Sequence, residues 1–201
     1  MKIGVLISGG GTNLQAIIDA IGAGYIDAQI VQVVSSRPDA YGLVRAHEAG
    51  IPTCSLNRDM YADPHAANEV IASMFVQAGA EYLVMAGYMR KLTEEVLLAF
   101  PDRVLNIHPA LLPSFTGAHA VEDAFNAGVK VTGVTVHFAN AAYDKGPIIA
   151  QRAVDVLEGD TLDALTERIH AVEHVLYPEV LHLLAQGRIS IGDDRKVHIS
   201  E

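Results

Sequence analysis

The chain has 201 residues, half of them hydrophobic and 19% charged, with a formal net charge of −10 at pH 7 and one cysteine, Cys54. That length suits a single sizeable domain with its own core. The acidic balance argues against general nucleic-acid or anionic-membrane binding, and a lone cysteine excludes both an intrachain disulfide and a four-cysteine zinc site.

The apolar run Ile3–Ile7 breaks into glycines and then Thr12-Asn13, unlike a secretory leader. No apolar stretch approaches the ~20 residues that cross a bilayer. A cytoplasmic setting is expected. Lys2–Ile7 reads as a buried strand and Asn13–Ile21 as a helix with Leu14, Ile17, Ile18 and Ile21 on one face. Ile30–Val34 is a second strand, Gly42–Ala49 a helix closed by Gly50, and Thr53–Leu56 a short third strand. Pro64–Ala78 reads as a helix with Asp63 as N-cap and Pro64 in its first position. Tyr82–Met85 is strand four. Thr93–Phe100 is a helix capped by Thr93, with Glu94 and Glu95 in the favourable first turn. Arg103–Ile107 is strand five, Ala118–Ala127 a helix, Val131–Phe138 strand six and Ile148–Val154 strand seven. Thr161–Leu184 is a long helix with Leu162, Leu165, Ile169, Val172, Leu176 and Val180 on its apolar side. From Gly192 the chain turns polar, as a frayed end or a minor strand.

Repeated β-α-β order predicts an α/β fold: an open, mostly parallel, Rossmann-like sheet of about seven strands with helices on both faces. The link between strands six and seven is too short for a crossover, so strand seven should run antiparallel. Ligands of such sheets bind outside the carboxyl ends of the strands. There the chain places Ser8-Gly9-Gly10-Gly11-Thr12-Asn13, Gly87-Tyr88-Met89-Arg90, Asn106-Ile107-His108-Pro109 and Asp144-Lys145-Gly146-Pro147.

The glycine loop opening a helix suits a phosphate, with a plain βα turn as the alternative. Leu14 stands where a dinucleotide fingerprint needs its third glycine, so a monophosphate fits better than a pyrophosphate. Asn106 and His108, two apart on a strand, point to one side and suit an oxyanion donor and an acid; taken alone they read first as a pair satisfied locally before Pro109. Asp144 reads first as a turn aspartate; beside His108 it would favour the imidazolium. His137 reads as a structural histidine. His170, Glu173, His174 and Tyr177 form a stripe on the last helix that reads as a solvated face, or else as a pocket wall. No His/Cys/Asp/Glu group has metal-ligand spacing, so no metal is expected.

Val5–Ile17, Ala86–Leu92, Leu105–Pro113, Gly117–Ala120, Gly133–Phe138 and Asp144–Ile149 together resemble the phosphoribosylglycinamide formyltransferases, nearly end to end and in order. The resemblance implies formyl transfer from 10-formyltetrahydrofolate to the amino group of glycinamide ribonucleotide, with small molecules as the partners and a homodimer left open. It implies Asn106, His108 and Asp144 as the catalytic trio. Gly11, Thr12 and Asn13 would hold the ribonucleotide phosphate, and Glu173 its glycinamide and ribose portion. Met89, Arg90, Lys91 and Leu92, with Asn106, would line the folate pocket. It implies a phosphate-binding half over residues 1–100, a catalytic and folate half over 101–190, and a polar tail over 191–201. Two positions depart from the family: Thr116 replaces a proline before Gly117, and His65 stands in a helix start that usually offers an arginine. A formyltetrahydrofolate hydrolase is the enzyme alternative, and that family normally adds an N-terminal regulatory domain. A methionyl-tRNA formyltransferase would need a further C-terminal domain and a basic surface. The non-enzyme alternative is an NADP-binding module that uses Ser35-Ser36-Arg37.

Overall fold

A computed structural model describes residues 1–200; residue 201, the end of the expected tail, lies outside them. The chain divides into two compact units, Met1–Asn106 and a second from Ile107 onward. Seven strands form one sheet in the order β3-β2-β1-β4-β5-β6-β7.

The first unit runs β1 (Lys2–Ile7), α1 (Thr12–Gly22), β2 (Gln29–Ser35), α2 (Tyr41–Glu48), β3 (Thr53–Ser55), a 3-10 turn (Asp59–Ala62), α3 (Pro64–Gln77), β4 (Tyr82–Met85), α4 (Glu94–Ala99) and the first residues of β5 (Val104–His108). β1 pairs in parallel with β2 and β4, β2 with β3, and β4 with β5. Parallel strands are covered on both faces, which is why β1 reads as a continuous apolar run. Ile3, Val5, Leu6 and Ile7 are all fully buried, as are Leu14 and Ile17 of α1. Each such side chain contributes about 1.5–3 kcal/mol by leaving water.

Asp63 caps α3 as expected, accepting the His65 and Ala66 backbone N–H groups at 3.0 and 3.2 Å. The expected Thr93 cap is not made. Thr93 stands before α4, but its hydroxyl donates to the Glu95 carboxylate instead of accepting a backbone N–H. Glu95 also takes His65 Nδ1 at 2.8 Å, which joins the starts of α3 and α4. The Thr93 hydroxyl, then His65, holds the Glu95 carboxyl down at about 2.

The second unit holds the end of β5, α5 (Ala120–Asn126), β6 (Val131–Phe138), β7 (Ile148–Asp155), α6 (Leu162–Ala185), β8 (Ile189–Ile191) and β9 (Val197–Ile199). β7 is antiparallel to β6, as the short link predicts, and the register slips between Val136 and His137. Thr161 caps α6. Of the two readings of the tail, the minor strand holds: β9 forms there and pairs with β8 in an antiparallel hairpin. Its turn carries Arg195 at φ 61.

Candidate active site

In the second unit, β5 delivers His108, which is 4% exposed. Its Nε2–H donates to the Phe115 carbonyl at 2.7 Å. Thr135, fully buried on β6, holds the start of that loop by accepting Leu112 N–H at 3.1 Å and donating to the Ala110 carbonyl at 2.7 Å. Gln151 of β7 reaches the Leu112 carbonyl at 2.9 Å.

Asp144, between β6 and β7, is 7% exposed. Its Oδ2 lies 3.6 Å from His108 Nδ1 and accepts the Gly117 N–H at 2.9 Å. Its Oδ1 lies 3.8 Å from His137 Nε2 and, among the described residues, accepts no hydrogen bond. The carboxylate therefore stands between two imidazoles. Phe115 and Asp144 both adopt left-handed backbone, φ 51 and φ 53. That conformation costs an L-residue about 1–2 kcal/mol, and such strain gathers at functional sites.

His137 sits at the β6–β7 register slip, the kind of irregularity that re-aims a side chain. Its Nδ1–H donates to the Phe138 carbonyl at 3.0 Å. Burial is the largest effect on this imidazole and pushes it below its ordinary value, toward the neutral form. Gly146 closes the loop by close approach: a Cβ there would lie 1.7 Å from the Phe138 oxygen.

Asn106 precedes His108 by two residues on β5, so the two share a side of that strand. Glu173 is 5% exposed and Tyr177 fully buried on α6, which corrects the solvated-face reading of that stripe; His170, at its other end, is exposed. Amphipathic spacing alone cannot separate a polar residue on a solvated face from one covered by a neighbouring element.

In the first unit, the glycine loop leads into α1. Gly11 has φ 69, and a Cβ on it would lie 2.6 Å from Gly42 Cα, so only glycine fits there. Side chains at Gly9 and Gly10 would meet open space. No side chain caps α1. Its first N–H groups, together with the positive end of the helix dipole, are the natural seat of an anion. Arg45 of α2 braces the loop, donating to the Gly10 carbonyl at 2.9 Å and to Gln15 at 3.1 Å. The Ser8 hydroxyl accepts Met89 N–H at 2.8 Å and pairs with Ser36 at 2.6 Å, tying the loops after β1, β2 and β4 together. Met89, Arg90 and Lys91 are exposed, whereas Leu92 is buried.

Sequence reading missed Ser8, Arg45 and the Phe115 carbonyl. Only Ser8 left a signal, as the residue that opens the glycine loop. Arg37, which the NADP-module reading requires, is held twice by Asp39, at 3.0 and 2.6 Å. Sequence spacing missed one His/Glu grouping: the ligand atoms of His65, Glu94 and Glu95 lie within 4.8 Å of one another. Among the described residues no helix is long and apolar enough to cross a membrane.

A family model described as formyl transferase matches residues 1–181. The chain is 39% identical over 193 residues to a phosphoribosylglycinamide formyltransferase of Haemophilus influenzae, covering 96% of this chain and 91% of that protein. It is 40% identical over 196 residues to a trifunctional purine biosynthetic protein adenosine-3 of Bos taurus, but spans only 19% of that protein's length. The crystal structure of glycinamide ribonucleotide transformylase 1 from Symbiobacterium toebii superposes with a TM-score of 0.97 at 48% identity, covering all of this chain and 94% of that one.

Proposed function

Since the chain belongs to the formyl transferase family, we propose that it moves the formyl group of 10-formyltetrahydrofolate to the amino group of glycinamide ribonucleotide, a step of purine synthesis in the cytoplasm. The observation that carries this reading is the buried Asp144 carboxylate 3.6 Å from His108 Nδ1. A turn aspartate with no task beyond the turn belongs in water, not between two imidazoles.

The reaction is acyl transfer, and the formyl oxygen gains negative charge as the amine adds. Asn106 and His108 are the N–H donors assigned to that oxygen. His108 Nε2–H is already committed to Phe115. Donation therefore falls to Nδ1, on the Asp144 side, and takes place from the imidazolium form, in which both ring nitrogens carry a proton. One well-placed oxyanion donor lowers the barrier by about 3–4 kcal/mol. Asp144, with Oδ1 outside any hydrogen bond among the described residues, accepts the proton that the amine sheds, directly or through a water. Holding the two reactants in register supplies about 7–11 kcal/mol more. Gly11, Thr12 and Asn13 take the ribonucleotide phosphate at the start of α1, and Glu173 takes its glycinamide and ribose portion. Met89, Arg90, Lys91 and Leu92, with Asn106, take the folate. Both substrates are small molecules, in keeping with the acidic chain.

The test mixes the protein with both substrates and follows folate absorbance; omitting the ribonucleotide separates transfer from hydrolysis. Asp144→Asn and His108→Ala should each lower kcat by at least about a hundredfold while substrate binding survives. Near-normal turnover in both variants rejects the assigned roles.

A further inference from the structure

Arg90 follows β4 with its guanidinium carbon 4.8 Å from the centre of the Tyr61 ring, stacked over its face. Tyr61 lies on the 3-10 turn Asp59–Ala62. Its hydroxyl sits 2.8 Å from that of Tyr88, which is 5% exposed. Burial pushes both phenols above their ordinary value, so both keep their protons at neutral pH and share an O–H···O bond. The far edge of the Tyr61 ring is thus tethered to a buried group, and its face is a fixed platform.

A guanidinium stacked on an aromatic face keeps its N–H donors free at its rim. Among the described residues, Arg90 makes neither a hydrogen bond nor an ion pair. Other arginines of this acidic chain do: Arg152 pairs with Glu179 at 3.0 Å, and Arg168 with Asp160 at 2.8 Å. An arginine held over a ring, with its donors unengaged, is prepared for a planar anion, and a carboxylate matches its fork with two parallel bonds. A monoglutamyl folate carries carboxylates only on its glutamate.

We propose that Tyr61 is a positioning residue for donor recognition: its ring, tethered through Tyr88, orients Arg90 toward a glutamate carboxylate of the folate. This rests on the formyl-transfer reading above. A surface tyrosine that merely packs would affect stability, or nothing, and would leave donor selectivity untouched.

The experiment measures donor KM, ribonucleotide KM and kcat for wild type, Tyr61→Leu, Tyr61→Phe, Arg90→Gln and the Tyr61→Leu/Arg90→Gln double variant. Each is assayed with 10-formyltetrahydrofolate and with the corresponding 10-formyltetrahydropteroyl carboxamide, which lacks the glutamate and carries no carboxylate. Tyr61→Leu should raise the folate KM about fivefold or more, with kcat and ribonucleotide KM within about twofold of wild type. Its KM for the carboxamide should equal that of wild type, and it should add nothing to Arg90→Gln. Tyr61→Phe keeps the ring, loses the tether and should raise the folate KM about threefold. It carries the test if a thermal scan finds Tyr61→Leu unfolded. An unchanged folate KM, an equal rise for both donors, or additivity with Arg90→Gln overturns the proposal. A wild type with no transfer to the ribonucleotide overturns the functional reading itself, an outcome distinct from an active wild type whose Tyr61 variants behave normally.

Discussion

Asp144 and His137 face one another across 3.8 Å. Burial holds the His137 imidazole below its ordinary 6.5. The unfolded chain therefore takes up this proton more readily than the folded one. The stability it contributes is whole above pH 6.5 and is lost as pH falls from there through the lower folded value. A histidine NMR titration should place His137 below 6.5, and His137→Asn should flatten that part of the stability curve between about pH 5 and 7. A His137 resonance that titrates above its ordinary value would contradict this. At this scale, Asn106 and His108 were legible because a strand's period puts them on one side. Asp144 was legible as a residue but not as a neighbour, since loop closure decides that. The Phe115 carbonyl was not legible at all: every residue has a carbonyl, and no letter marks the one that a histidine will choose.

The Asp144 loop returns to β7 through Gly146. Because the added Cβ would fall 1.7 Å from the Phe138 oxygen, Gly146→Ala must displace the strand end that also anchors His137 Nδ1. Urea unfolding should show a loss of at least about 1–3 kcal/mol, the range for overpacking. It should come with a shift of the His137 resonance, while wild-type stability would refute the close approach. Strand centres were plain from their apolar runs, and β4 and β6 have the expected bounds. The antiparallel turn of β7 followed from loop length alone. What failed did so by competition: Thr93 bonds a side chain in place of a backbone N–H. The minor strand expected in the tail is β9, and it pairs with β8 because Ile189, Ile191, Val197 and Ile199 alternate around a tight turn.

For the molecule as a whole, a net charge of −10 opposes anions at long range, so the anionic ligands must be met locally. Under the proposed function that task falls to the start of α1, braced by Arg45 beside Gly10, and to Arg90. Glycinamide ribonucleotide at about a hundred times its Kd should raise apparent stability by about 2.7 kcal/mol in a thermal scan. Duplex DNA at the same phosphate concentration should leave the transition unmoved, and stabilisation by DNA would reverse the charge argument. The left-handed residues around His108 have a practical corollary. Asparagine in place of Asp144 would sit more easily in that left-handed backbone and so favour heat tolerance. The same change would remove the carboxylate that stands beside His108, so heat tolerance and turnover would pull against each other at a single position.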